Sequence, residues 1–105
     1  MPRNQTRTVD RTLDIHGAFV RRADLSGASL RDANMAGADA TNAILRGADL
    51  DNAVLRGTIL RGADLTDAKN LTIEQLSEAI LDDDTILPSY IDRAKLQALV
   101  QNTSK

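Results

Sequence analysis

Residues 13–67 read LDIHG, AFVRR, ADLSG, ASLRD, ANMAG, ADATN, AILRG, ADLDN, AVLRG, TILRG and ADLTD when cut every five residues, eleven units without an insertion. A period of five fits neither the helix, at about 3.6 residues, nor the strand, at about 2. Each place in the unit has its own chemistry. The first is alanine in every unit but those beginning with Leu13 and Thr58, so little room exists there. The third is apolar throughout, from Ile15 to Leu65, which predicts a dry interior. The fifth holds all six glycines of the chain, with Asp32, Asn42, Asn52 and Asp67 elsewhere. These residues tolerate a positive φ, so a turn is predicted at the end of each unit. Only Arg22 departs from that set.

Units such as ADLSG (23–27), ADLDN (48–52) and ADLTD (63–67) resemble the pentapeptide-repeat family, whose motif is A-(D/N)-L-x-x. The resemblance covers over half the chain in one phase. It implies an all-β solenoid, a right-handed quadrilateral β-helix in which four units make one square coil and the first and third positions point inward. Eleven units then make just under three coils. Side chains twenty residues apart would stack about 4.8 Å apart, giving the ladders Ile15, Met35, Leu55; Val20, Ala40, Leu60; Leu25, Leu45, Leu65; and Leu30, Leu50. Ala40 is the weak rung, expected to leave a gap unless the flexible Met35 leans across it.

Composition supports repetitive packing, because Phe19 and Tyr90 are the only aromatic residues and an ordinary core of interlocking large side chains is not expected. A solenoid ending in Leu55, Leu60 and Leu65 leaves apolar side chains and unpaired edges, and residues 68–105 are expected to cover them. Thr72-Ile73-Glu74-Gln75 matches a capping box ahead of Ile73, Leu76 and Ile80, which predicts a helix over 72–81. Asp82, Asp83 and Asp84 are unfavourable at a helix C-terminus and mark its end. After Pro88, a second helix is predicted over 89–102 with Ile91, Ala94, Leu96, Leu99 and Val100. The segment from Asn70 to Pro88 also resembles the helical tail that often follows these repeats, where its implied role is closing the coil. Residues 1–12 form a polar arm, with Arg3, Arg7 and Arg11.

Chemistry is absent from this pattern. There is no cysteine, which removes disulfides and thiolate sites and suits a reducing compartment. His16 is the only histidine and has no partner nucleophile in sight. Asp14, Asp24, Asp39, Asp49 and Asp64 hold the second position, where such side chains bond nearby backbone. Each glycine is locked into the period, so none cradles phosphate, and the Asp82–Asp84 run reads as a solvated loop. No catalytic residue, cofactor or metal is expected, and the chain reads as no enzyme. The first residues lack the apolar stretch of a secretory signal, and no segment is long enough to span a membrane. The expected location is the cytoplasm.

Surface remains as the functional element. The net charge is −2, and Arg21, Arg31, Arg46, Arg56 and Arg61 share the fourth position but fall on all four faces, so no basic stripe for nucleic acid results. Phe19, Ile44, Val54 and Ile59 stand at the outward second position where Asp or Asn is usual. Val54 and Ile59 should flank one corner. With Arg56 and Arg61 beside them, that corner is the candidate contact for a protein partner, and the expected role is an interaction scaffold. A second copy of the chain is another candidate, through the C-terminal helices or an exposed solenoid end. The alternative implied by the family is mimicry of duplex DNA toward DNA gyrase. Three coils are short for that, and the aspartates are dispersed among arginines.

Overall fold

The computed structural model describes residues 13–103, with side chains as far as Val100, so the arm expected over residues 1–12 lies outside it. The period of five becomes a square coil. Second-position residues pair in parallel with those twenty residues on, as in Asp14 with Asn34, Phe19 with Asp39, Asp24 with Ile44 and Ser29 with Asp49. These are isolated bridges, because each side of the square has room for only a short extended stretch before the chain turns. The third-position N–H donates to the second-position carbonyl of the next coil, as from Ile15 to Asn34 at 2.9 Å, and the fifth-position N–H donates likewise, from Gly17 to Ala36 at 2.8 Å. In return, the second-position N–H donates to the coil before, as from Asn34 to Leu13 at 2.8 Å.

Each corner is a four-residue turn closed by a first-position N–H donating to the preceding third-position carbonyl, as from Ala18 to Ile15 at 2.9 Å. A positive φ at the fifth position is what such a turn requires. Asp32, Asn42, Asn52 and Asp67 adopt it at 60–61°, and Arg22 does so too at 62°. The departure at Arg22 was therefore one of residue type and not of conformation. Inside, Met35, Leu45, Leu50, Leu55, Leu60 and Leu65 are fully buried, while Ile15, Val20 and Leu25 of the first coil are half-buried. Ala40 is fully buried as well. Thr58, the polar exception at the first position, is also buried, and its hydroxyl donates to the Met35 carbonyl at 2.6 Å. Burial is tolerated because the hydroxyl is satisfied.

The C-terminal segment departs from expectation. Helix α1 spans only Ile73–Ser77, not 72–81. Its start is set by the capping box, in which the Thr72 side chain accepts from the Gln75 N–H at 3.0 Å and Gln75 Oε1 accepts from the Thr72 N–H at 2.9 Å. It stops because the chain beyond it rejoins the solenoid. Ile80 pairs with Ile59, and Ile86 pairs with Asp64, both in parallel. Ile80 was expected on the apolar face of a helix; it is a rung of the ladder. The coil therefore runs past residue 67: Lys69 pairs with Asp49, α1 occupies the next side, and Ile80 and Ile86 supply the two after it.

Helix α2 spans Arg93–Thr103 and starts four residues later than expected. The Asp92 carboxylate accepts from the N–H groups of Ala94 and Lys95, which fixes the helix start there. Residues 89–92 have other work, since the Tyr90 hydroxyl donates to the Ala68 carbonyl and accepts from the Leu71 N–H. Leu76 of α1 and Leu96 of α2 are both buried and continuous with the solenoid core. Among the described residues, no helix is long and apolar enough to cross a membrane.

Candidate functional site

Eleven units divide into two kinds according to what holds the outer surface. Where the second position is Asp or Asn, its Oδ1 accepts from the backbone N–H two residues on: Asp14 from His16, Asp24 from Ser26, Asn34 from Ala36, Asp39 from Thr41, Asp49 from Asp51 and Asp64 from Thr66. A hydroxyl at the fourth position adds a second bond, as from Ser26 and Thr41 at 2.6 Å. These bonds favour the ionised form. The carboxyls of Asp24, Asp39 and Asp64 lie below their ordinary value, first because of the hydroxyls of Ser26, Thr41 and Thr66 respectively. Asp49 is lowered chiefly by the Asn70 amide, and Asp14 by His16.

The other five units have Phe19, Ser29, Ile44, Val54 or Ile59 at the second position, and all five carry arginine at the fourth. The arginines are thus confined to the units that lack the Asx bond. In three of them the guanidinium reaches to a carboxylate one coil on: Arg21 to Asp39 at 3.7 Å, Arg31 to Asp49 at 3.3 Å and to Asp51 at 2.9 Å, and Arg46 to Asp64 at 3.2 Å. Arg21 also lies over the Phe19 ring, 5.6 Å from its centroid.

Arg56 and Arg61 differ. The place one coil on from Val54 is taken by α1, and the place one coil on from Ile59 is taken by Ile80. Among the described residues neither arginine has a carboxylate within ion-pair reach, a property shared within the solenoid only by Arg22 in the first coil. Arg61 acts on Asp39 only at longer range. Glu78 and Asp82 follow one rung above, but the Asp82 carboxylate is turned to the N–H groups of Gly62 and Asp84 and the Thr85 hydroxyl, at 3.0, 3.0 and 3.2 Å. The Asp82–Asp84 run is thereby a structural turn, and among the described residues no cluster of acidic, histidine or cysteine side chains is arranged to hold a metal.

Arg56 and Arg61 occupy the two corners that bound one side of the square. Between them on that side stand Ile59, half-buried, and Ile80, 38% exposed, with Val54, 37% exposed, around the Arg56 corner. Phe19, 75% exposed, is on the same side two coils earlier, separated from Ile59 by Asp39, and Ile44 is half-buried on the next side. The structure thus brings Val54, Arg56, Ile59 and Arg61 together and leaves Phe19 and Ile44 apart from them. Ile80 is the residue that sequence reasoning missed. Its signal was present: Ala79-Ile80-Leu81 and Thr85-Ile86-Leu87 repeat Ala43-Ile44-Leu45 and Thr58-Ile59-Leu60, shifted out of phase by inserted residues.

Three comparisons bear on this architecture. The model of the family described as pentapeptide repeats matches eight copies, over residues 14–47 and 33–69. The chain belongs to the pentapeptide-repeat family. A crystal structure of a pentapeptide-repeat protein from the cyanobacterium Cyanothece 51142 is 29% identical with a TM-score of 0.65, covering 72% of this chain and 51% of that one. This chain therefore spans about half the length of that relative. A pentapeptide-repeat protein from Nostoc PCC 7120 is 24% identical with a TM-score of 0.32, covering 81% of this chain and 82% of that one. One from the Arabidopsis thaliana thylakoid lumen is 26% identical with a TM-score of 0.30, covering 72% and 55%. No curated protein matches the chain in sequence. The fold implied by the family and its Cyanothece member is the right-handed quadrilateral β-helix. Pentapeptide-repeat proteins are generally non-catalytic and often serve as structural or interaction scaffolds.

Proposed function

We propose that this pentapeptide-repeat chain is a non-enzymatic protein-interaction scaffold whose contact surface is centred on Val54, Arg56, Ile59, Arg61 and Ile80. The observation that carries this reading is the contrast among the arginines: three are ion-paired with carboxylates one coil on, while, among the described residues, the two beside Ile59 and Ile80 are not. A rigid ladder holds these side chains in place without spending conformational entropy on binding, which suits recognition. The cysteine-free sequence suits work in a reducing compartment such as the cytoplasm.

Residues 70–103 are assigned the role of a cap on the solenoid end. Gln75 Nε2 donates to the carbonyls of Leu50 and Ala53, both at 2.9 Å, and Leu76 seats on the core, so edge groups and apolar surface are covered together. Mimicry of DNA toward gyrase is not supported: Asp39, Asp49 and Asp64 are ion-paired and share their sides with Phe19, Ile59, Ile44 and Lys69. A second copy of the chain, meeting through α2 or a solenoid end, would show itself as a dimer by sedimentation.

The test is affinity capture from the native cell lysate with the wild type and a Val54→Asp, Ile59→Asp variant, read by mass spectrometry. Both changes are outward, so the thermal transition should be retained. A partner held by the wild type and lost by the variant is the expected result. Equal capture by both would place the contact elsewhere.

A further inference from the structure

The scaffold reading leaves open what kind of molecule the Ile59 side receives, and its chemistry narrows the choice. Two features are decisive. The first is sign: Arg56 and Arg61 bound the side with guanidinium groups that, among the described residues, have no carboxylate within ion-pair distance, whereas Arg21, Arg31 and Arg46 already have theirs. A ligand that brings carboxylates here meets cations that need not first break an ion pair. The second is backbone. On this side the ladder consumes the main chain, with the Ile59 N–H donating to Ala38, the Leu60 N–H to Ile80 and the Ile80 N–H to Thr58, all at 2.7–2.8 Å. The strand edge left over, at the Ala79 carbonyl and the Leu81 N–H of the last rung, points along the coil axis, so the outward side face offers side chains and a partner segment lying on it must satisfy its own backbone.

A helix does that. Ile59 and Ile80 stack about 4.8 Å apart along the coil axis, close to the pitch of about 5.4 Å that separates apolar residues one turn apart on a helix. The acidic run Asp82–Asp84 lies one rung above Arg61, so the opposite end of the surface carries the opposite sign. A helix fitted to both keeps its carboxylates at one end. Resting on the scaffold reading of this surface, we infer that the Ile59 side docks an amphipathic helix of a protein partner, with an apolar stripe on Ile59, Ile80 and Val54 and glutamates or aspartates at its N-terminal end meeting Arg56 and Arg61. Acidic residues at a helix N-terminus are also the favourable arrangement for the helix itself.

The probe is a synthetic peptide of about fourteen residues, about four helical turns, with leucines on one stripe and glutamates confined to its first half, titrated into the full chain and followed by fluorescence anisotropy and by amide shifts. Its control carries glutamine at each glutamate position. The expected result is binding that shifts the Ile59 and Ile80 amides and weakens about tenfold, equivalent to roughly 1.4 kcal/mol, for the glutamine peptide and for an Arg56→Gln, Arg61→Gln chain. A third chain, Val54→Ser with Ile59→Ser, separates the two readings. Loss of binding in the serine chain with no change in the glutamine chain or with the glutamine peptide would overturn the acidic helix and leave the contact surface standing. Binding unaffected by either chain would overturn both. No binding of the peptide, or equal binding to duplex DNA or to phosphatidylcholine vesicles containing phosphatidylglycerol, would overturn the inference, while lysate capture decides the contact surface separately. Because all four substituted side chains face outward, each variant is first checked for an unchanged thermal transition.

Discussion

From Leu13 to Lys69 the chain keeps one phase and every side of the square is a ladder; from Asn70 onward the phase slips, yet two sides of the square continue. The first region shows that five-residue spacing with a small, an apolar and a turn-forming position is sufficient to close a coil. The second shows that the coil tolerates insertions, provided the inward and bridging residues return to their columns. Ile80 lies twenty-one residues beyond its partner Ile59, and Ile86 twenty-two beyond Asp64, whereas the earlier rungs are separated by twenty. The extra residues are absorbed in α1 and in the Asp82–Thr85 turn, where the Thr85 N–H and hydroxyl both bond Asp82. The proposed contact surface lies at the seam between the regions. The regular part supplies Arg56, Ile59 and Arg61, and the irregular part supplies Ile80 in place of the carboxylate that would otherwise have neutralised an arginine.

If the irregular part belongs to the same cooperative unit, truncation of Leu76 should cost as much as truncation of Leu45 in the middle coil. Both are fully buried leucines, so Leu76→Ala and Leu45→Ala should each destabilise by about 2–5 kcal/mol in chemical denaturation. A small effect at Leu76 with an unchanged global transition would instead make the C-terminal segment a separate, fraying element. Gln75→Ala removes the one donor to the Ala53 carbonyl among the described residues and leaves the Leu50 carbonyl with only the Ala53 N–H, an expected loss of about 1–3 kcal/mol by the same measurement.

A smaller effect distinguishes turns that look identical in sequence. Gly27 and Gly62 both have a positive φ, at 69° and 68°, but a Cβ at Gly27 would meet nothing within 4 Å while one at Gly62 would lie 2.1 Å from Asn42 Oδ1. Gly27→Ala should cost about 1 kcal/mol for the left-handed backbone alone, and Gly62→Ala should cost more, with Asn42→Gly restoring the difference in thermal melts.

Acid should weaken the regular region through its second-position carboxyls. The folded-state carboxyls of Asp39, Asp49 and Asp64 lie below the ordinary value of 3.8, chiefly through bonds from Thr41, Asn70 and Thr66. As pH falls, the unfolded chain takes up protons before the folded one does. Their contribution is thus fully present above the ordinary carboxylate value and is lost as pH drops through the lowered folded values. Denaturation midpoints should be flat near neutrality and decline below about pH 5, with a shallower decline in Asp64→Asn. The smallest effect has the opposite sign. His16, raised by its 2.6 Å bond to the exposed Asp14, favours the folded chain below its ordinary 6.5 and ceases to do so as pH rises through the raised value. An Asp14→Asn variant should lower the His16 titration point seen by NMR.

The solenoid was legible because its first, third and fifth positions are each under one physical demand, repeated often enough to set a phase. Arg22 shows the limit of reading residue types, since it adopts the same 62° turn as its asparagine counterparts without belonging to their set. The boundary of α1 was misread because Ile73, Leu76 and Ile80 satisfy helical spacing, and nothing local reveals that Ile80 is claimed by a residue twenty-one positions earlier. Val54 and Ile59 could be placed at one corner from the register alone. The pairing of three arginines and the isolation of two could not, because each depends on which side chain occupies the next coil.

Ala79-Ile80-Leu81 and Thr85-Ile86-Leu87 are rungs of the solenoid, which puts Ile80 over Ile59. Native-state hydrogen exchange tests it at single amides, because the Ile80 N–H donates to Thr58 at 2.8 Å and the Ile86 N–H to Ala63 at 2.9 Å. Protection of both, matching that of the Ile44 and Ile59 amides and lost only in global unfolding, is the predicted result. Rapid exchange at Ile80 and Ile86 while Ile59 stays protected would contradict it and remove the upper half of the proposed contact surface.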